Sequence, residues 1–403
     1  MKNVFFIAIL FVLVACEDTY KETLSFSLPY STYLQYPVRL DASEILVDIQ
    51  VKPSIQPETA FKIASNDKYL FVGEKMKGIH VYEKTDEFRA NPVCFIECNY
   101  LKAFDVDDNI LYCNNFSDML VVDVEDPLKA KVKFRNSSFF YNNMYPIFND
   151  GTYILGYRQI RATVTITETN PPDFSEYDKM YGNIIVKEIP DSLRTDAPYA
   201  AFANIEGGVF TWMNNRLALC SFVSGVLQIT QTTVNIQNPV ISDLRYKDGI
   251  IFSIRTDGFM YLSYFSNIFE QRQGFLNYGN NEKQALDVVA MGNPVNSFFV
   301  LSENSIDWIN ASNFSHINVP YFSSAPIQGA KSLINVNDTI LALGNRLTLF
   351  RYLPKENQIK VVKQYGDISG LQMIRNGDVL IVANQQGILF YDISDLENIK
   401  LMP

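Results

Sequence analysis

The chain has 403 residues, with 34 Lys and Arg against 44 Asp and Glu, a formal net charge of −10 and a pI near 4.9. That balance argues against binding nucleic acid or anionic lipid through a basic surface, and a 47% hydrophobic share rules out a disordered chain. Two histidines, His80 and His316, and five cysteines leave little material for a metal centre or for Ser-His or Cys-His catalysis.

At the N-terminus, Lys2 precedes an apolar run from Val4 to Ala15. The run is too short to cross a bilayer, which needs about 20 apolar residues, and behind one positive charge it reads as a secretory signal. Leu13-Val14-Ala15-Cys16 resembles the lipobox of bacterial lipoproteins. The resemblance implies a signal peptide over 1–15, cleavage before Cys16, and acyl chains such as palmitate on that cysteine. No cofactor is implied. Each buried lipid methylene contributes about 0.8 kcal/mol, so several chains anchor the protein to a membrane. Loss of Lys2 with the signal takes the charge from −10 to −11, so acyl chains must anchor without electrostatic help. Glu17 and Asp18 resemble the export signal of surface lipoproteins in Bacteroidetes-type bacteria, which implies the outer membrane, with surface or periplasmic display. Residues 16–58 are expected to be a lipidated tether, with a possible strand over 45–52.

From about residue 59, short β-branched and aromatic runs recur every 35–45 residues or so between Asn, Asp and Gly turns. Tyr69–Gly73 is followed by Gly78–Tyr82, Ile110–Cys113 by Met119–Val124, and Val379–Ala383 by Gly387–Ile393. Turns such as Asp107-Asp108-Asn109, Lys247-Asp248-Gly249 and Asn376-Gly377-Asp378 suit the positive φ of tight hairpins. Each copy predicts four strands, and one such unit cannot bury both its faces alone. Units packed radially can, so the expected fold is all-β: a single β-propeller of four-stranded blades.

The copies resemble the LVIVD-repeat family of bacterial and archaeal envelope β-propellers. Ala103-Phe104-Asp105-Val106 through Asp126-Pro127 matches best, and Gly387 to Asp395 nearly as well. The resemblance covers about 59–403 and is weakest in the middle. Copies begin near residues 59, 98, 143, 207, 241, 284, 327 and 368, which predicts eight blades, with seven the alternative. Residues 160–182 interrupt the third copy and are expected to form an exposed insertion. The eighth copy is short, so residues 45–52 are expected to pair with the last blade and close the ring.

Aligning the copies places Lys62, Asp105, Pro146, Thr211, Asp243, Asp287, Ser332 and Gln372 on one ring around the channel. Three carboxylates and a lysine there could hold a cation such as calcium, which wants six to eight oxygens. The structural reading is that each aspartate accepts backbone N–H groups and locks adjacent blades. His80 reads as a half-buried strand residue and His316 as the start of an outer strand. Cys94 and Cys98 stand about 13 Å apart in an extended strand and cannot bridge. Either could pair with Cys113 in an oxidising compartment, or remain a free thiol, and Cys220 reads as core. Phe139-Phe140-Tyr141 is expected to be buried between blades rather than to form a ligand platform.

The sequence therefore leads to an exported lipoprotein whose propeller is a non-catalytic binding or scaffold module for an envelope protein or glycan. The alternatives are an envelope carbohydrate-active enzyme using channel carboxylates, or an ion-binding propeller.

Overall fold

The structure, a computed structural model, describes residues 27–41, 43, 47–86, 88–137, 139–140, 152–167, 171–182, 185–186, 200–213, 216–235, 241–247, 250–255, 260–267, 270–276, 285–291, 297–310, 323–385 and 387–402. The chain divides into two compact units, a small one of residues 1–39 and 154–186 and a large one of residues 40–153 and 187–403.

Among the described residues of the large unit, consecutive strands form seven antiparallel four-stranded meanders. They are numbered here as blades 1 to 7, spanning 62–97, 104–136, 202–235, 241–276, 287–326, 332–365 and 372–401. Their first strands are Lys62–Ser65, Phe104–Asp107, Phe202–Ile205, Ile241–Lys247, Asp287–Ala290, Ser332–Val336 and Gln372–Asn376. Each lies beside the next, and the last lies beside the first. This closed cycle is a β-propeller, and these strands line its axis.

The second and third strands of a blade are buried on both faces, as in Ile110–Asn115 and Asp118–Asp123. They are sandwiched between neighbouring blades and so read as continuous apolar runs. Outer strands alternate with solvent, as in Gln358–Tyr365. The core is therefore a set of inter-blade layers. Phe71, Ile79 and Ile96 of blade 1 meet Phe104, Leu111 and Val122 of blade 2. Ile381, Ala383 and Phe390 of blade 7 meet Ile63, Leu70 and Val72 of blade 1. The tight turns after the first strands take positive φ at Asp108 (50°), Asn337 (50°) and Gly377 (59°), which short polar residues and glycine tolerate.

The third predicted copy supplies no blade among the described residues. Thr152–Thr167 pairs instead with Ser27–Asp41, which also pairs with Ile185–Val186, in a separate three-stranded sheet. At fifteen and sixteen residues these strands are far longer than a blade strand. Residues 27–41, expected within the tether, are thus a strand. Residues 160–182 contain the end of its partner and a helix, Ser175–Tyr181. In this small unit Phe174, just before the helix, packs against Tyr30, Tyr181 packs against Tyr36 and stacks with Tyr177, and Tyr36 Oη donates to Asp178 Oδ1 at 2.8 Å.

Ring closure also differs from expectation. Gln50–Pro53 does not join the last blade; it adds a fifth strand outside Ala90–Glu97 of blade 1. Flanking residues fasten it. Arg135 and Asn115 of blade 2 donate to Val47 O, and Arg135 Nη2 pairs with Asp48. Lys77 of blade 1 bridges Glu58 and Glu74 at 2.6 and 2.7 Å. The short C-terminal strand, Lys400–Leu401, completes blade 7.

Candidate functional site

The predicted ring residues on first strands converge on the propeller axis. Lys62 Nζ donates to Asp105 Oδ2 at 2.6 Å and to Phe202 O at 2.8 Å, joining blades 1, 2 and 3. Asp105 Oδ1 accepts Val106 N–H at 2.9 Å, and Oδ2 also accepts Asn204 N–H at 3.0 Å. Asp287 repeats the pattern three blades on, accepting Val288 N–H at 2.8 Å and Leu333 N–H of blade 6 at 2.7 Å. The carboxylate in each case satisfies its own strand and the neighbouring first strand. Asp243 Oδ1 accepts Leu244 N–H at 2.9 Å, while Oδ2 meets Arg245 Nη2 at 2.9 Å.

Arg245 is the residue that the copy alignment missed. It lies between two carboxylates, with Nε 3.3 Å from Asp287 Oδ1 though not aligned for a hydrogen bond. Burial alone would weaken its hold on the proton, but Asp243 and Asp287 outweigh that and raise its pKa further. Burial pushes the Asp287 carboxyl above the ordinary aspartate value, against the pull of Arg245. Alternation at period two places Arg245 on the same face as Asp243, a signal present in the sequence.

Thr211 does not belong to this ring. It lies on the second strand of blade 3, opposite Phe202, and its hydroxyl donates to Ala201 O at 2.8 Å. The bond from Asp105 to Asn204 N–H matches that from Asp287 to Leu333 N–H, so Ala203 takes the place that Ser332 has in blade 6. Pro146 lies outside the described residues, as do Cys16, Tyr141 and His316.

Two cavities share Arg245 and Gln372 in their walls. One, of about 220 Å³, also touches Lys62, Lys75, Lys102 and Asp243. The other, of about 460 Å³, touches Asp287, Ser332, Asn335 and Arg375. Among the described residues no three His, Cys, Asp or Glu side chains converge in a way that could hold a metal ion. Lys62 and Arg245 already supply the positive charge that a cation would bring to these carboxylates.

His80 is fully buried rather than half-buried. Its Nδ1 lies 3.1 Å from Ile55 O and its Nε2 2.9 Å from Glu74 Oε2, so it ties the segment after the fifth strand to blade 1. Cys94, Cys98, Cys113 and Cys220 are buried free thiols, with Cys98 hydrogen-bonded to Cys113 across blades 1 and 2. Phe139 and Phe140 are buried in the layer between blades 2 and 3, where Phe140 meets Phe202 edge-on at 5.4 Å.

No family model matches the sequence, and no curated protein matches it. Among solved structures, a chain of the mitotic checkpoint complex superposes with a TM-score of 0.50 at 10% identity, covering 86% of this chain and 95% of that one. The computationally designed Ika8 protein gives 0.46 at 8% identity, covering 85% and 98%. The WD40 β-propeller domain of Doa1 gives 0.43 at 10% identity, covering 89% and 96%. At such identities the likeness is one of fold. The class defined by the blades and their axial ring is a β-propeller with a polar, internally paired channel.

Proposed function

We propose that the chain is an exported lipoprotein of the bacterial envelope, anchored through Cys16, and that its propeller is a non-catalytic module that binds or scaffolds a protein or glycan. Its blades are read as diverged LVIVD repeats. The observation that carries the non-catalytic reading is the engagement of all six oxygens of Asp105, Asp243 and Asp287 by backbone N–H groups, Lys62 or Arg245. Glycoside hydrolysis needs a carboxyl pair set across an open pocket, with one member free to donate a proton and the other free to attack or activate water. The lipoprotein reading rests on residues 1–18. Anchoring is tested by feeding cells radiolabelled fatty acid: label enters the wild-type chain and not Cys16→Ala, and equal labelling would overturn it. Catalysis is tested with a panel of chromogenic glycosides and esters. Turnover abolished by Asp243→Asn or Asp287→Asn, in variants that still fold, would replace the binding role with an enzymatic one.

A further inference from the structure

The ring positions of blades 5, 6 and 7 are Asp287, Ser332 and Gln372, and all three border the larger cavity. Asp287 is held by two backbone N–H groups and Arg245. Among the described residues, the Ser332 hydroxyl and the Gln372 carboxamide have no protein partner, although Ser332 is only 2% exposed. Arg245 Nε, in the same wall, is buried without an aligned acceptor. Unmatched buried polar groups are costly, and three of them facing one cavity mark a place where a ligand supplies the missing bonds. Two residues further along the same strands stand Val289, Ile334 and Ile374, which alternation puts on the face of the ring residues. Each is half-buried, so the concave wall carries an apolar arc beside its polar groups. The volume of about 460 Å³ lies within the ~300–1,000 Å³ of small-molecule pockets.

Charge and hydrogen-bond chemistry narrow the ligand. Both arginines of the wall are matched already: Arg245 by Asp243 and Asp287, and Arg375 by Gly377 O, Asn335 O and, at 4.0 Å, Asp378. An ionic ligand would bring an unpaired charge into this wall, which is strongly unfavourable. The unmatched groups offer donors at Ser332, Gln372 and Arg245, and acceptors at Ser332 and Gln372. An amide presents the complement, with a carbonyl oxygen that accepts and N–H groups that donate.

We propose that this cavity is a binding site for a small uncharged amide with a branched aliphatic body. The amide bonds to Ser332 and Gln372, and the aliphatic body lies against Val289, Ile334 and Ile374. The proposal rests on the reading of the propeller as a binding module and gives that module a ligand class.

Isothermal titration of the full chain in nonionic detergent at pH 7 tests it, with N-acetylleucinamide, its anionic counterpart N-acetylleucine, and methyl glucoside as a neutral polyol. N-acetylleucinamide binds saturably, about tenfold or more tighter than either of the others, and salt leaves its affinity unchanged because the contact carries no net charge. Ser332→Ala combined with Gln372→Met weakens it about tenfold, the loss of two neutral hydrogen bonds. The same variant keeps the wild-type urea midpoint, because neither side chain gives up a bond within the protein. Four outcomes would overturn the site: no saturable heat with the amide, acid or glucoside binding as tightly, undiminished affinity in the variant, or a lowered midpoint that makes the two side chains structural. Hydrolysis of the bound amide to N-acetylleucine would instead overturn the binding-module reading and leave the site standing.

Discussion

Lys62 Nζ lies 2.6 Å from Asp105 Oδ2 across the junction of blades 1 and 2, with each side chain only 10% exposed. Removing the ammonium strands a buried carboxylate, which typically costs about 3–5 kcal/mol. Lys62→Met is therefore expected to lower the unfolding free energy by that amount in urea titrations. A loss below about 1 kcal/mol, the value of an exposed pair, would show that Asp105 is adequately satisfied by Val106 and Asn204 alone.

Glu74, Lys77 and His80 make stability depend on acidity in a definite direction. Burial alone would raise the Glu74 pKa, but hydrogen bonds and charge from Lys77 and His80 outweigh it and hold the carboxyl below its ordinary value. Between its folded and unfolded pKa values, the unfolded chain binds more proton than the folded one, so stability rises with pH there. The contribution is complete above the ordinary glutamate value and is lost as pH falls through the lowered one. Urea midpoints measured from pH 7 downward should fall more steeply in the wild type than in Glu74→Gln. Asp287 works in the opposite sense, since burial raises its pKa, and its deprotonation costs stability as pH climbs past the ordinary aspartate range.

Trp212 Nε1 donates to Ser253 Oγ at 3.1 Å between blades 3 and 4, and both residues are buried. Ser253→Ala leaves the indole N–H without its acceptor, at a cost of about 1–3 kcal/mol. Chemical denaturation should show a lower midpoint with an unchanged slope; an altered slope would mean that the native or denatured state had changed compactness.

The thiols should be silent in the folded chain. Burial pushes Cys94 up to about 11 and Cys220 up to about 12, and the bond to Cys98 together with burial raises Cys113 as well. Thiolate is the reactive form. Iodoacetamide at pH 8 is expected to label none of these four cysteines in native Cys16→Ala protein and all four in guanidinium. Rapid labelling of Cys113 before unfolding would contradict the packing between blades 1 and 2.

The blade motif was legible where side chains report their own geometry. Asp392 accepts Ser394 N–H and Asp395 accepts Glu397 N–H, each at 2.9 Å, and Asp126 accepts Leu128 N–H at 3.2 Å. Aspartates that cap a turn with their own carboxylates leave a recognisable Asp-x-x-Asp spelling in blades 2 and 7. Blade 3 lacks it, and Gly208–Met213 is the more apolar run, so the repeat pattern matches its second strand to the first strands of other blades and puts Thr211 in the ring in place of Ala203. The third copy reads as a blade in the sequence because strand propensity says nothing about partner. Thr152–Thr167 satisfies its ladder with Ser27–Asp41, more than a hundred residues away in sequence. Arg245 stands two residues beyond the aspartate that defines the repeat, so the repeat pattern alone does not single it out.

Every blade is made of strands consecutive in the chain, and the added strand Gln50–Pro53 lies on the outer edge of blade 1. Among the described residues, then, blades 7 and 1 meet chiefly through side chains such as Phe390 and Leu70, without an exchanged strand to latch them. The wheel has a seam but no clasp. Joining its ends and recutting between blades 5 and 6 would sever no hydrogen-bonded ladder among the described residues, so a chain permuted there should close the same wheel.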